Sequence, residues 1–276
     1  AYTFLVACMT LILGVTDLGL VHCPLPIVGQ RNRDVPWIVG ACQQVFRKRW
    51  LLLALGLAVV GPYWFYTSNQ HGWWGGGYLL ASVLVLAVVL FTLREHYAST
   101  VMLIMSRITE LNRVGFSSQI VRLSFVGVVL LLPMTSWSIA GLLAAAAAAG
   151  FVSVMLYKRQ FRLLAIPDLK LDAEDARRVD AQIIQIAKPL VLPAIFYQVQ
   201  GVITVFLVSF FGTSSMMAEV GAFGRLSMVL LVMDRVTNIL LFPAIARAPK
   251  GPRLRKIVVH AHLAYIVTMM LVMLSS

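Results

Sequence analysis

Residues 78–107, YLLASVLVLAVVLFTLREHYASTVMLIMSR, read as one long apolar helix with Arg94, Glu95 and His96 side by side near its midpoint. A bilayer core about 30 Å thick is crossed by roughly 20 apolar residues at ~1.5 Å each. The three polar groups therefore fall near the depth where a charge is most expensive, about 2.5–3.5 kcal/mol each on insertion scales. Such charges persist where they face protein or a watery cavity. The stretch predicts a many-span membrane protein of transporter type, with this helix in a cavity wall.

The rest of the chain agrees with a membrane setting. Hydrophobic residues make up 60% of the 276 and charged residues 12%, a balance that excludes an ordinary soluble domain. Apolar runs give about eight spans, near 1–28, 50–67, 78–107, 118–134, 137–157, 189–211, 218–246 and 257–276. All of the 23 Lys and Arg except Arg94, Arg225 and Arg235 fall in or beside the connections 31–49, 107–122, 158–188 and 247–256. The intervening connections at 68–77, 135–138 and 212–217 carry none. By the positive-inside rule the basic connections are cytoplasmic. The net charge of +12 is then a topology signal with affinity for anionic membrane lipids, and nucleic acid is excluded as a partner.

Smaller features fit the same frame. Tyr63, Trp64, Tyr66, Trp73 and Trp74 mark an outer headgroup level, and Gly75-Gly76-Gly77 an outer turn. The small residues 144–150 predict a face where helix backbones approach closely. Residues 158–188 form the longest polar segment. Asp172, Glu174 and Asp175 open a helix there, and Ile183, Ile184 and Ile186 give it an apolar side, so it reads as an amphipathic linker at the inner surface. Cys8, Cys23 and Cys42 show no metal spacing and read as small buried hydrophobes. The chain opens and closes within apolar runs and looks like an internal portion of a longer protein.

An internal repeat is visible. Val15-Thr16-Asp17 matches Val232-Met233-Asp234, and the same offset of nine sets Pro26 opposite Pro243, with Arg31 and Arg247 following. Both spans run outside to inside, as in parallel transporter repeats.

TDLGL at 16–20, SRITELNRVG at 106–115 and VGAFGRLSMVLLVMDRVTNILLFPAIAR at 220–247 resemble polysaccharide repeat-unit flippases of the MATE-like (MOP) superfamily. The resemblance runs loosely over nearly all the chain and is most specific at 220–247. It implies an all-α membrane fold of twelve spans in two lobes around a central cavity, of which these would be the second to the ninth. On that template residues 1–157 belong to the N-terminal lobe, 158–188 are the cytoplasmic linker, and 189–276 begin the C-terminal lobe. The implied activity is transport, not catalysis: undecaprenyl-pyrophosphate-linked oligosaccharide is flipped across the cell inner membrane, coupled to H⁺ or Na⁺, with no bound cofactor. A polysaccharide polymerase and a chain-length regulator are the implied protein partners. The seventh span of many members carries a charged residue, whereas here it offers only Gln198 and Gln200.

The intramembrane polar groups are the candidate site. Arg94, Arg235, Arg225, His96 and Asn238 are the expected contacts of an anionic head, because guanidinium holds phosphate bidentately and keeps its charge. A structural ion pair of Arg94 with Asp17 or Glu95 is the competing account. Asp17, Glu95 and Asp234 are candidates for ion coupling, or for pinning neighbouring helices. Pro26 and Pro243 are the expected hinges. Two other functions remain open: a cation-coupled antiporter of the same superfamily, and a membrane glycan polymerase or ligase, disfavoured by the short outer connections.

Overall fold

The computed structural model describes residues 1–31, 33–131, 137–166, 171–213, 215–216, 219–220 and 259. Residues 1–214 form one compact unit and 215–276 a second, and the architecture below is that of the first. The described residues are all-helical, without a strand: α1 (Tyr2–Asp17), a 3₁₀ turn (Leu20–His22), α2 (Pro24–Val28), a second 3₁₀ turn (Gly29–Arg31), α3 (Val35–Gln70), α4 (Gly76–Ile104), α5 (Ile108–Leu131), α6 (Trp137–Leu163) and α7 (Ala173–Phe211). Five of these helices are long and apolar enough to cross a membrane, or six when α1 and the segment after it count as one broken span. The molecule is a multi-pass membrane protein by length and composition of its helices. Apart from residues 219, 220 and 259, the expected spans 218–246 and 257–276, with Arg225, Asp234, Arg235, Asn238 and Pro243, lie outside the described residues.

Several helices extend beyond the bounds that the sequence indicated. Most of the expected basic loop 31–49 is helix, because α3 starts at Val35 with Asp34 accepting from the Trp37 N–H at 3.2 Å and Pro36 in its first turn. The span expected at 118–134 begins ten residues earlier, at Ile108. Within 158–188, α6 continues to Leu163, and α7 runs unbroken from Ala173 through Lys188-Pro189 into the apolar span. Its acidic start, with Asp172 as N-cap and Glu174 and Asp175 in the first turn, is as the sequence indicated. At ~1.5 Å per residue α3 and α7 are about 54 and 58 Å long, so each overshoots a ~30 Å apolar core and carries its polar end into the headgroups and beyond.

Helix α4 is the centre of the bundle, touching α1, α3, α5 and α6, while α7 lies against α1, α2 and α3. The α4–α6 seam is made by small residues. Ala145, Ala147 and Ala149 are buried, and Gly150 sits so close to α4 that an added Cβ would stand 2.8 Å from the Phe91 Cβ. Lipid is as apolar as leucine, so close backbone approach and dispersion hold such a seam where water exclusion does not. At the basic end, Cys23, Ile27, Ile38, Val39, Val45, Val179 and Ile183 form a shared core of α2, α3 and α7, bridged at its rim by Lys48 and Asp180 at 3.2 Å. At the opposite end the aromatic group gathers as expected, with Trp64 donating to the Tyr78 hydroxyl at 3.1 Å and the Ser68 hydroxyl 2.7 Å from the same oxygen. All three cysteines are buried.

Candidate functional site

The first span breaks at its basic end, and the break creates the site. α1 ends at Asp17, and Leu18 (φ 33°) and Gly19 (φ 85°) both take left-handed dihedrals. Two such residues in succession turn the chain by 49° before Leu20–Val28 resume a helical course. Glycine accepts this conformation freely, while leucine pays steric strain for it. The break in the helix therefore falls at Leu18-Gly19, and Pro26 lies within α2.

A broken helix inside a bundle leaves backbone groups without intrahelical partners, and in a membrane they must be satisfied by protein. Asp17 accepts from the Val21 N–H at 2.9 Å, serving the turn after the break. The Thr16 carbonyl, at the C-terminus of α1, accepts from Arg49 Nε at 3.4 Å. Arg49 Nη2 lies 3.3 Å from Asp17 Oδ1 and 3.4 Å from His96 Nδ1. One guanidinium on α3 thus meets the carbonyl end of α1, the carboxylate beside it and an imidazole on α4. Its positive charge also opposes the negative end of the α1 dipole. The Arg49 side chain is 7% exposed and that of Asp17 34%, so the cation is the deeply buried partner.

Beside this cluster is a cavity of about 20 Å³, room for about one water centre, between Leu20 and Pro24 of the broken span, Phe46 and Arg49 of α3, and His96 and Thr100 of α4. It is too small for a sugar or a pyrophosphate.

The expected site residues separate. Asp17 and His96 come together, but through Arg49. The ion pair considered between Arg94 and Asp17 is not formed, since Arg49 holds Asp17. Arg94 is exposed, in line with the exposed Leu79, Val83, Leu86 and Leu90 at helical spacing, and does not line the small cavity. Glu95 turns to α6, beside Ser153 and Tyr157, and is placed to accept from the Ser153 hydroxyl, which is otherwise buried without a hydrogen bond. One helical step of about 100° separates Arg94 from Glu95, so the two face different ways. Gln198 of α7 donates to the Thr10 carbonyl at 2.8 Å, packed where Gly14 has no side chain. Arg225, Arg235, Asn238 and Asp234 lie outside the described residues.

Arg49 is the residue that sequence reading missed, because it was counted with Arg47 and Lys48 as a loop charge. The signal was present: Cys42, Val45, Arg49, Leu53, Gly56 and Val60 recur at helical spacing and are all buried. Arg47 and Lys48 fall off that stripe. No protein-family model, curated protein or solved structure matches this chain.

Proposed function

We infer that the chain is part of a transporter that carries an undecaprenyl-pyrophosphate-linked oligosaccharide from the cytoplasmic to the outer leaflet of the inner membrane. One observation carries the transport reading: a transmembrane helix is broken at a charged, hydrogen-bonded junction inside the bundle. Irregular backbone and ionisable groups within a membrane-spanning bundle are costly, and transporters place them where helices move against one another. A membrane protein serving only as an anchor has no use for such a junction.

The cargo class rests on the sequence resemblance at 16–20, 106–115 and 220–247 and on cations within spans. Arg94 has no ion-pair partner among the described residues and stands ten residues, ~15 Å, from the end of α4. In this reading it meets the pyrophosphate from the exposed face while the polyprenyl tail stays in lipid. Arg225, Arg235, Asn238 and His96 complete the anion's path, the two-lobed MATE-like arrangement frames it, and polymerase and chain-length regulator are downstream partners.

The test is translocation of a fluorescent polyprenyl-pyrophosphate oligosaccharide in vesicles containing the full-length protein. The cargo should cross many-fold faster than in protein-free vesicles, and Arg94→Ala should abolish this while insertion and thermal stability stay intact. Uptake of an organic cation against a proton or sodium gradient, with no lipid movement, would instead establish the antiporter reading.

A further inference from the structure

Helix α5 carries a polar stripe that the fold leaves uncovered. Asn112, Gly115, Gln119 and Arg122 follow one another at spacings of three, four and three, which puts them on one side of a helix. Asn112, Gln119 and Arg122 are exposed, and at Gly115 an added Cβ would meet nothing within 4 Å. The packed side, with Val114 and Ser118 against α4 and α6, bounds the stripe on one edge. The exposed Phe116 and Leu123 bound it on the other. By sequence Arg122 stands at the edge of a basic connection, but α5 starts at Ile108. Arg122 therefore lies fourteen residues, ~21 Å, inside a helix about 36 Å long. That length exceeds a ~30 Å apolar core by little, so Arg122 is far from the basic end. Packing gives the same level. Ser118 donates to the Ala149 carbonyl at 3.2 Å, the neighbouring Gly150 lies on Phe91 at the middle of α4, and Arg122 is one turn further toward the aromatic end.

A fixed cation at that level is expensive against lipid tails. Only 11% of the apolar window of α5 is buried, the smallest share of the five spans. Glu110, on the same helix, is held by Arg107 at 3.6 Å, and among the described residues Arg122 has no ion pair. The charge selects what covers the stripe. A second copy related by an axis along the membrane normal would set Arg122 against Arg122 at equal depth. A bulk phospholipid finds the exposed Arg107, Arg113 and Arg159 at the basic end and gains nothing by drawing its phosphate to mid-span. A lipid head that crosses the bilayer does need polar groups there. We propose that the stripe is a track for the head of a pyrophosphate-bearing lipid in transit. Arg122 binds the phosphate at mid-span, bidentately and without losing its charge. Asn112 and Gln119 offer amide donors and acceptors to sugar hydroxyls, and the apolar chain lies outside, along Phe116 and Leu123. This site rests on the transporter reading and adds α5 to the Arg94 face of α4.

The experiment uses the full-length protein in vesicles, with the polyprenyl-pyrophosphate oligosaccharide labelled on its sugar. A benzophenone amino acid replaces Gln119 on the stripe or, as the control, the exposed Ile120 beside it. Illumination should attach the sugar label at position 119 and little at position 120. Unlabelled cargo should compete, and phosphatidylglycerol should not. Arg122→Gln should lower both the labelling and the transport by about tenfold or more, as loss of a charged hydrogen bond requires. Arg122→Lys should recover part of each. Arg122→Leu should unfold on heating no earlier than the native protein, because a charge used only by cargo adds nothing to the fold. Absent or equal labelling at the two positions, or a cross-link from position 119 to protein instead of lipid, overturns the proposal. So does competition by phosphatidylglycerol, a destabilised Arg122→Leu, or transport unchanged in Arg122→Gln. A protein that labels at position 119 but moves no lipid-linked sugar keeps the site and discards transport; the reverse result discards the site alone.

Discussion

Arg49 explains itself residue by residue. The end of α1 is held inside the bundle, its Thr16 carbonyl needs a donor, and Asp17 needs a counter-charge. A guanidinium meets both needs because its donors diverge in a plane, which an ammonium cannot match. The two partners of the ion pair should be unequally replaceable. Asp17→Leu leaves a cation almost wholly buried without its carboxylate, a loss on the order of 3 kcal/mol. Arg49→Leu leaves Asp17, one-third exposed and still bonded to Val21, which water can reach, so its loss should be about half as large. Thermal unfolding in detergent checks the order, and equal or reversed losses would mean that the guanidinium is hydrated after all. The double replacement should recover part of the deficit, since no unpaired charge remains.

At the scale of helices, two glycines define how closely elements approach, and they differ in what blocks a side chain. At Gly14 an added Cβ would overlap Gln198 Cδ, the far end of a flexible side chain. Gly14→Ala should displace Gln198 from the Thr10 carbonyl and cost about 1–2 kcal/mol. Combining it with Gln198→Ala should return most of that, a coupling that a double-mutant cycle of thermal stabilities would reveal. At Gly150 the obstacle is the Phe91 Cβ, which cannot swing aside. Gly150→Ala must push α4 and α6 apart, so its loss should exceed that of Gly14→Ala and no single truncation on α4 beyond Cβ should relieve it. The lengths of α3 and α7 were hidden for a related reason. Polar residues end a hydropathy run, yet Arg47, Lys48 and Lys188 are good helix formers and the backbone continues through them.

For the whole molecule, the charge pattern and the helix order make one prediction about orientation. The α3–α4 connection, rich in aromatics, and the α4–α5 corner, with Arg107 paired to Glu110 at 3.6 Å, are at opposite ends of α4. Cysteine introduced at the exposed Asn69 should react with an impermeant reagent from outside intact cells, and cysteine at the exposed Asn112 only after permeabilisation. The native thiols at Cys8, Cys23 and Cys42 are buried and should give little background. Labelling of both positions from one side would break the positive-inside assignment and with it the direction of transport inferred above.

Hydropathy by itself determined that the chain is helical and crosses a membrane several times, because a bilayer forces every spanning backbone to satisfy its own hydrogen bonds. The small-residue face on α6 and the buried cysteines were legible too, since residue size and polarity act locally. Which polar groups meet was decided only by tertiary structure. Asp17, Arg49 and His96 are separated by tens of residues and gather because α1 breaks at Leu18-Gly19 and exposes a carbonyl that α3 must answer. Arg94, the most conspicuous charge in the sequence, lies on the exposed side of α4, because two helical steps, about 200°, separate it from His96 at that junction.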